Sequence, residues 1–401
     1  MSVPKARGGK VLKTENNDWV MQLLFFSVLL SSFVMIEPAP YDFLMMLSMC
    51  LFFIFSKYRL TDGTGIAVIA LLMLAASNFV PMYLAKDMGA ALKYCLVTLY
   101  LMLSWFVIVG IAPGYRTRLI RVVLNAYVLS ALISVLIGIL AFFHLLPGSD
   151  LFFYFGRVKS FFKDANVFGP YVVIPAVYAL YLFEHGFGKK KVLSFLLFVV
   201  LCIGVLLSFS RAAWGNLFLT AGLYLILTRD FSLKKRANFL LLLAVIALPL
   251  FLYLIQTPFV DELFSGRLSF QGYDNERFSN QFEALQLGLN HPLGIGPGQS
   301  EEYLQLSAHS LYLRLFAENG ITGFLAFLAF YALSLMKAYN HSKRMTGHMK
   351  RYYTLIFAGL IGLLFNSFFV DTLHWRHFWF LLALAWVPPD GQTDGKAGVQ
   401  T

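Results

Sequence analysis

The 401-residue chain is 59% hydrophobic and 13% charged, with 41 Phe and 20 Tyr, and its mean hydropathy is +0.69. These values exclude a soluble globular domain as the organising unit and describe a polytopic, all-α membrane protein. The net charge of +11 is read as a topology signal, so nucleic-acid binding is not expected.

Lys5, Arg7, Lys10 and Lys13 precede an apolar run beginning at Trp19, with no small-residue cleavage site after it. The run reads as a retained first helix rather than a signal peptide. Apolar stretches near the roughly 20 residues that cross a bilayer predict about twelve spans. They cover 19–36, 41–56, 64–84, 90–111, 118–146, 167–184, 190–209, 212–228, 237–256, 321–338, 351–370 and 375–388. An even number puts both termini on one side. With that side cytoplasmic, its loops collect 22 of the 32 Lys and Arg, as the positive-inside rule requires. Ten basic residues fall on the outer side against the rule: Lys86, Lys93, Arg157, Lys159, Lys163, Arg211, Arg267, Arg277, Arg314 and Arg376. Arg211, in "VLLSFSRAAWG", is the only charged residue from Val192 to Leu227. The span count puts it at a tight outer turn instead of mid-bilayer, where a charge is costly.

Cys50, Cys95 and Cys202 lie in apolar runs without C-x-x-C spacing, so neither a disulfide framework nor a metal site is indicated. In "GRVKSFFKDANVFGPY" (156–171), three cations precede Asn166, which is expected to cap the sixth span. The chain reads as one membrane domain over 1–401, with an outer loop at 257–320 and a polar, flexible cytoplasmic tail at 389–401. In the loop, Phe278, Phe282, Leu285 and Leu289 repeat at the spacing of one helix face. "HPLGIGPG" (291–298) breaks that helix; it matches no nucleotide fingerprint and reads as turns. A short helix after His309 is expected to end at Gly320, with Arg314 and Glu318 at i, i+4 as an ion pair.

Cations gathered on one membrane face suit an anionic ligand that lives in the membrane, such as a lipid pyrophosphate, whose oxygens match the guanidinium fork. The plainer alternative is that they snorkel or pair with Asp164, Asp274, Glu318 or Asp371. A neutral His309 can take a proton from a sugar hydroxyl, although a lone histidine is more often structural. Glu301 and Glu302 could join His309 at a metal, but no carboxylate cluster has the spacing of a dedicated site. A metal-independent site without cofactor is expected. "HWRHFW" (374–379) sets Arg376 between two histidines and adds to the outer cations, as do Lys93 and Lys159.

In their order, "GRVKSFFKDANVFG", "SFSRAAW", "ERFSNQFEAL", "HPLGIGPGQS", "AHSLYLRLFAENGITG" and "DTLHWRHFW" resemble the O-antigen ligase and polymerase superfamily of bacterial envelope proteins. The resemblance implies a membrane-embedded glycosyltransferase, akin to the GT-C type, in the bacterial inner membrane with its site facing the periplasm. It implies a polyprenyl (undecaprenyl) pyrophosphate-linked glycan as donor and a lipid A core sugar as acceptor in the ligase branch. In the polymerase branch the acceptor is a second lipid-linked repeat unit. Arg157, Arg211 and Arg277 would bind the pyrophosphate, and His309 would be the base or orient the acceptor. Ser310 stands where the family more usually has Asn. A non-enzymatic rival is a lipid-linked-glycan transporter, although the spans lack the polar midplane residues and paired repeats of that class.

Overall fold

The computed structural model describes residues 18–56, 58–228, 272–304 and 308–390. The predicted span at 237–256, the basic segments before residue 18 and at 229–236, Arg267 and the tail beyond 390 lie outside the described residues. In chain order the longer helices are α1 (Asp18–Leu29), α2 (Pro40–Phe55), α3 (Thr64–Phe79), α4 (Met88–Tyr115), α5 (Thr117–Phe142), α6 (Ala165–His185), α7 (Gly188–Leu207) and α8 (Arg211–Thr228). After the undescribed stretch come α9 (Gly272–Asn290), the single turn α10 (Ser300–Tyr303), α11 (Leu311–Arg344), α12 (Gly347–Asn366) and α13 (Arg376–Leu384). A two-residue hairpin, β1 (Phe153–Tyr154) with β2 (Arg157–Val158), pairs Tyr154 with Arg157.

Among the described residues, six helices are long and apolar enough to cross a membrane: Thr64–Leu84, Met88–Tyr115, Thr117–Phe142, Ala165–His185, Gly188–Leu207 and Leu311–Arg344. Asp18–Ser32 and Pro40–Phe55 are apolar but shorter. α8 and α12 are also helical where spans were predicted, and they pack closely against each other. A Cβ added at Gly362 of α12 would lie 2.0 Å from Thr220 Oγ1 and 2.2 Å from Asn216 Oδ1 of α8. α13 is shorter than the 375–388 span; tighter bonds from Ala385, Trp386 and Val387 to carbonyls three residues back carry it onward.

Contacts between helix termini show that the described helices run in alternate directions. At the far end, Arg116 between α4 and α5 donates to Pro389 O at 3.0 Å, and Lys337 Nζ donates to Asp62 O at 2.5 Å. The beginning of the tail is therefore anchored. At the near end, Arg376 of α13 meets Asp42 at the start of α2, and Asp87 ahead of α4 exchanges bonds of 2.9 Å with Gln299.

The centre is aromatic. Trp105 stacks edge-on against Phe330 and Trp386, and Tyr127 against Tyr171 and Phe380. α6 is the most enclosed of the six long helices, with 78% of its most apolar window buried, against 28% for α7. α6 thus brings its N-terminus to the middle of the near end.

Candidate functional site

Among the helices that begin at the near end, α6, α8 and α11 have the candidate residues at their starts. Helix N-termini present N–H groups without intrahelical partners and a partial positive charge, a setting that favours anions. α6 is capped by Asp164, whose Oδ1 accepts the Asn166 N–H at 2.8 Å. The expectation that Asn166 is the cap is thus corrected: its side chain accepts from Arg157 Nη2 at 2.7 Å. Arg157 is 6% exposed on β2. Its Nε donates to Ser208 O at 2.9 Å, tying the hairpin to the turn before α8. Both of these acceptors are uncharged groups that orient the guanidinium.

Ser208, Phe209 and Ser210 make that turn between α7 and α8, and Arg211 opens α8 on an exposed position, as the sequence indicated. Ser210 Oγ accepts the Ala213 N–H in a long 3.4 Å contact. Gly169 lets α6 and α8 close up here, because a Cβ on it would lie 2.5 Å from Ser208 Oγ and 2.7 Å from Ala213 Cβ.

His309 precedes α11, the third helix. Leu311 N–H donates to Ser367 O at 3.0 Å, and Arg277 Nη2 of α9 donates to Phe369 O at 2.6 Å. One turn, 366–370, therefore holds both elements. His309 is partly buried; burial first, then Arg277 and Arg314, push its pKa below the ordinary value, while Asp164 opposes them. These influences place Arg277 and Asp164 within electrostatic reach of the imidazole and leave it neutral at pH 7. The backbone is strained around the cluster: Phe155, Ser160, Phe209 and His309 have φ of 49°, 48°, 46° and 46°. Such conformations are uncommon for non-glycine residues and gather at functional sites.

The remaining cations at this end meet aromatic rings or carboxylates, with two exceptions. Arg314 pairs with Glu318 at 3.0 Å as expected, and also with Asp371 at 3.1 Å and Glu301 at 3.5 Å. Glu318 is fully buried and accepts from Gly298 N at 2.7 Å, Ser300 N at 3.0 Å and Ser300 Oγ at 2.6 Å. The glycine stretch at 291–298 is thus a set of turns that cradles the protein's own carboxylate. Gly294, at φ 94°, is required there: a Cβ would lie 2.3 Å from Glu318 O. α11 breaks at Gly320 (φ 66°, ψ −172°), where its first helix was expected to end.

Arg376 is gripped by Asp42 through Nε at 2.9 Å and Nη2 at 2.6 Å, with Glu37 at 3.9 Å. Lys163 pairs with Glu37 at 2.6 Å, and Lys86 lies 3.5 Å above the Tyr303 ring. Lys93 is exposed and Lys159 half-buried; neither makes an ion pair among the described residues. Burial lowers the His374 pKa to about 4, and its Nε2 lies 2.9 Å from Thr98 Oγ1. Among the described residues no three His, Cys, Asp or Glu side chains gather as a metal-binding group.

α9 forms where the periodicity placed it, but presents the opposite face to the protein. Phe278, Phe282, Leu285 and Leu289 are exposed, while Asn280, Ala284 and Gly288 are buried. A Cβ on Gly288 would meet Phe316 at 2.3 Å, so close approach to α11 demands the small-residue face. Sequence reasoning also did not identify the Asp164 cap or the 366–370 turn. Asp164 had the signal of a cap-forming residue ahead of an apolar run; the turn had none.

The fold and site thus define a multi-pass helical membrane protein with a polar, arginine-bearing cluster at one end of its bundle. Residues 196–328 match the family model described as O-Antigen ligase, which supports placing the chain in the O-antigen ligase and polymerase superfamily that the motif order implied. The match contains Arg211, Arg277 and His309 and runs from within α7 into α11. No curated protein matches the chain.

Proposed function

We propose that the protein is an O-antigen ligase of the bacterial inner membrane, moving a glycan from polyprenyl pyrophosphate to a lipid A core sugar at the periplasmic face. The observation that carries this reading is the convergence of Arg157, Arg211, Arg277 and His309 with three helix N-termini at one end of an apolar bundle. The donor lipid enters from the bilayer with its pyrophosphate against the arginines. The acceptor hydroxyl loses its proton to His309 as its oxygen attacks the anomeric carbon. The bond from that carbon to the pyrophosphate oxygen breaks, and the electron pair leaves with polyprenyl pyrophosphate, inverting the anomeric centre. The arginines and helix termini are arranged to stabilise the charge that grows on the leaving group. No metal or cofactor enters these steps.

The polymerase is the second reading, because the matched family supports ligase or polymerase activity alike. Purified protein given lipid-linked glycan with and without lipid A core separates them. Transfer to the core is expected; lengthening of the lipid-linked glycan without core would reject the ligase. Binding of donor without any transfer would leave the transporter.

A further inference from the structure

Asn366 ends α12 fully buried, yet neither its Oδ1 nor its Nδ2 has a hydrogen-bond partner among the described residues. Buried side-chain amides are nearly always bonded, and leaving one unmade is worse than replacing it by hydrocarbon of the same shape. The helix register shows where this amide points. Gly362, one turn earlier on the same face of α12, abuts Asn216 and Thr220 of α8, and Gly215 of α8 abuts Phe365. The helices are antiparallel, so Asn366 lies one turn nearer the end of α8 that Arg211 opens. Its own carbonyl accepts from Phe369 N at 2.9 Å and Val370 N at 3.1 Å. It therefore opens the same turn that holds Arg277 through Phe369 and the start of α11 through Ser367.

We propose that Asn366 is a further ligand-binding residue: its Nδ2–H donates to a phosphate oxygen of the lipid diphosphate that docks at the start of α8. This deepens the reading given above and rests on it. The amide is sealed in the unliganded protein, so docking parts the first turn of α8 from the last turn of α12. The unmade bonds then favour the bound state over the free one.

The test uses full-length protein in nanodiscs, with polyprenyl pyrophosphate as probe and polyprenyl monophosphate and inorganic pyrophosphate as separate arms. Wild type is expected to bind the lipid diphosphate and to gain thermal stability from it. Asn366→Leu is expected to raise the Tm of the ligand-free protein and weaken lipid binding at least tenfold. Asn366→Asp keeps the shape but exchanges the donor for an anion; it should lose binding too, and it serves as the test if the Leu variant does not fold. Wild-type affinity in either variant overturns the assignment. Absence of binding by the wild type overturns the pyrophosphate reading and this assignment together. Equal binding of inorganic pyrophosphate would assign the site to free anions and overturn the lipid as ligand.

Discussion

Two groups of arginine occupy the same end of the bundle and are held differently. Arg314 and Arg376 sit on carboxylates, Glu318 with Asp371 and Asp42 with Glu37. Arg157 and Arg277 are positioned by the oxygens of Ser208, Asn166 and Phe369. The first contacts are charge-assisted on both sides; the second orient a guanidinium through neutral oxygens. Arg157, Arg211 and Arg277 belong to the anion receptor proposed above, while the carboxylates of Arg314 and Arg376 also tie together segments remote in sequence.

The difference can be broken from either side. Arg211→Ala should lower glycan transfer on the order of 10² or more if Arg211 stabilises the leaving group, measured as initial rate in correctly inserted protein; a full rate would dissolve the receptor group. Glu318→Ala removes one of the carboxylates around Arg314 and the acceptor of Gly298 and Ser300, and should destabilise the fold by about 1–3 kcal/mol. Thermal unfolding reads this, and the transfer rate per folded molecule should fall much less than in Arg211→Ala.

A finer distinction comes from pH. His309 must be neutral to accept a proton, so the rate falls as pH drops through its pKa, which lies below the ordinary value of about 6.5. Arg277→Gln removes a cation that disfavours the imidazolium, so the acid limb should move to higher pH. An unmoved limb in the pH–rate profile would separate Arg277 from His309. The smallest effect is expected at the exposed face of α9, where Phe282→Ser should change stability within about 0.5 kcal/mol, read by the unfolding midpoint.

Arg211 was legible because one guanidinium in an apolar run has few tolerable places, and a turn is the cheapest. The Arg314–Glu318 pair and the Gly320 break were legible for a similar reason, since i, i+4 spacing and glycine permissiveness are local properties. The cap of α6 was not: Asp164 and Asn166 are both good cap formers, and Arg157, delivered by the hairpin, recruits the second. Nor was the partner of Arg376 legible, because α13 brings it to Asp42, far away in sequence.

By itself, the sequence determined the class of protein, the positions of most described helices and the turn that carries Arg211, because hydropathy, charge bias and glycine act over short stretches. Only tertiary structure decided which face of α9 is buried, which arginines meet carboxylates, and that 366–370 joins the elements bearing Arg211, Arg277 and His309. Those outcomes depend on close approach between helices remote in sequence, which residue spacing within one segment does not encode.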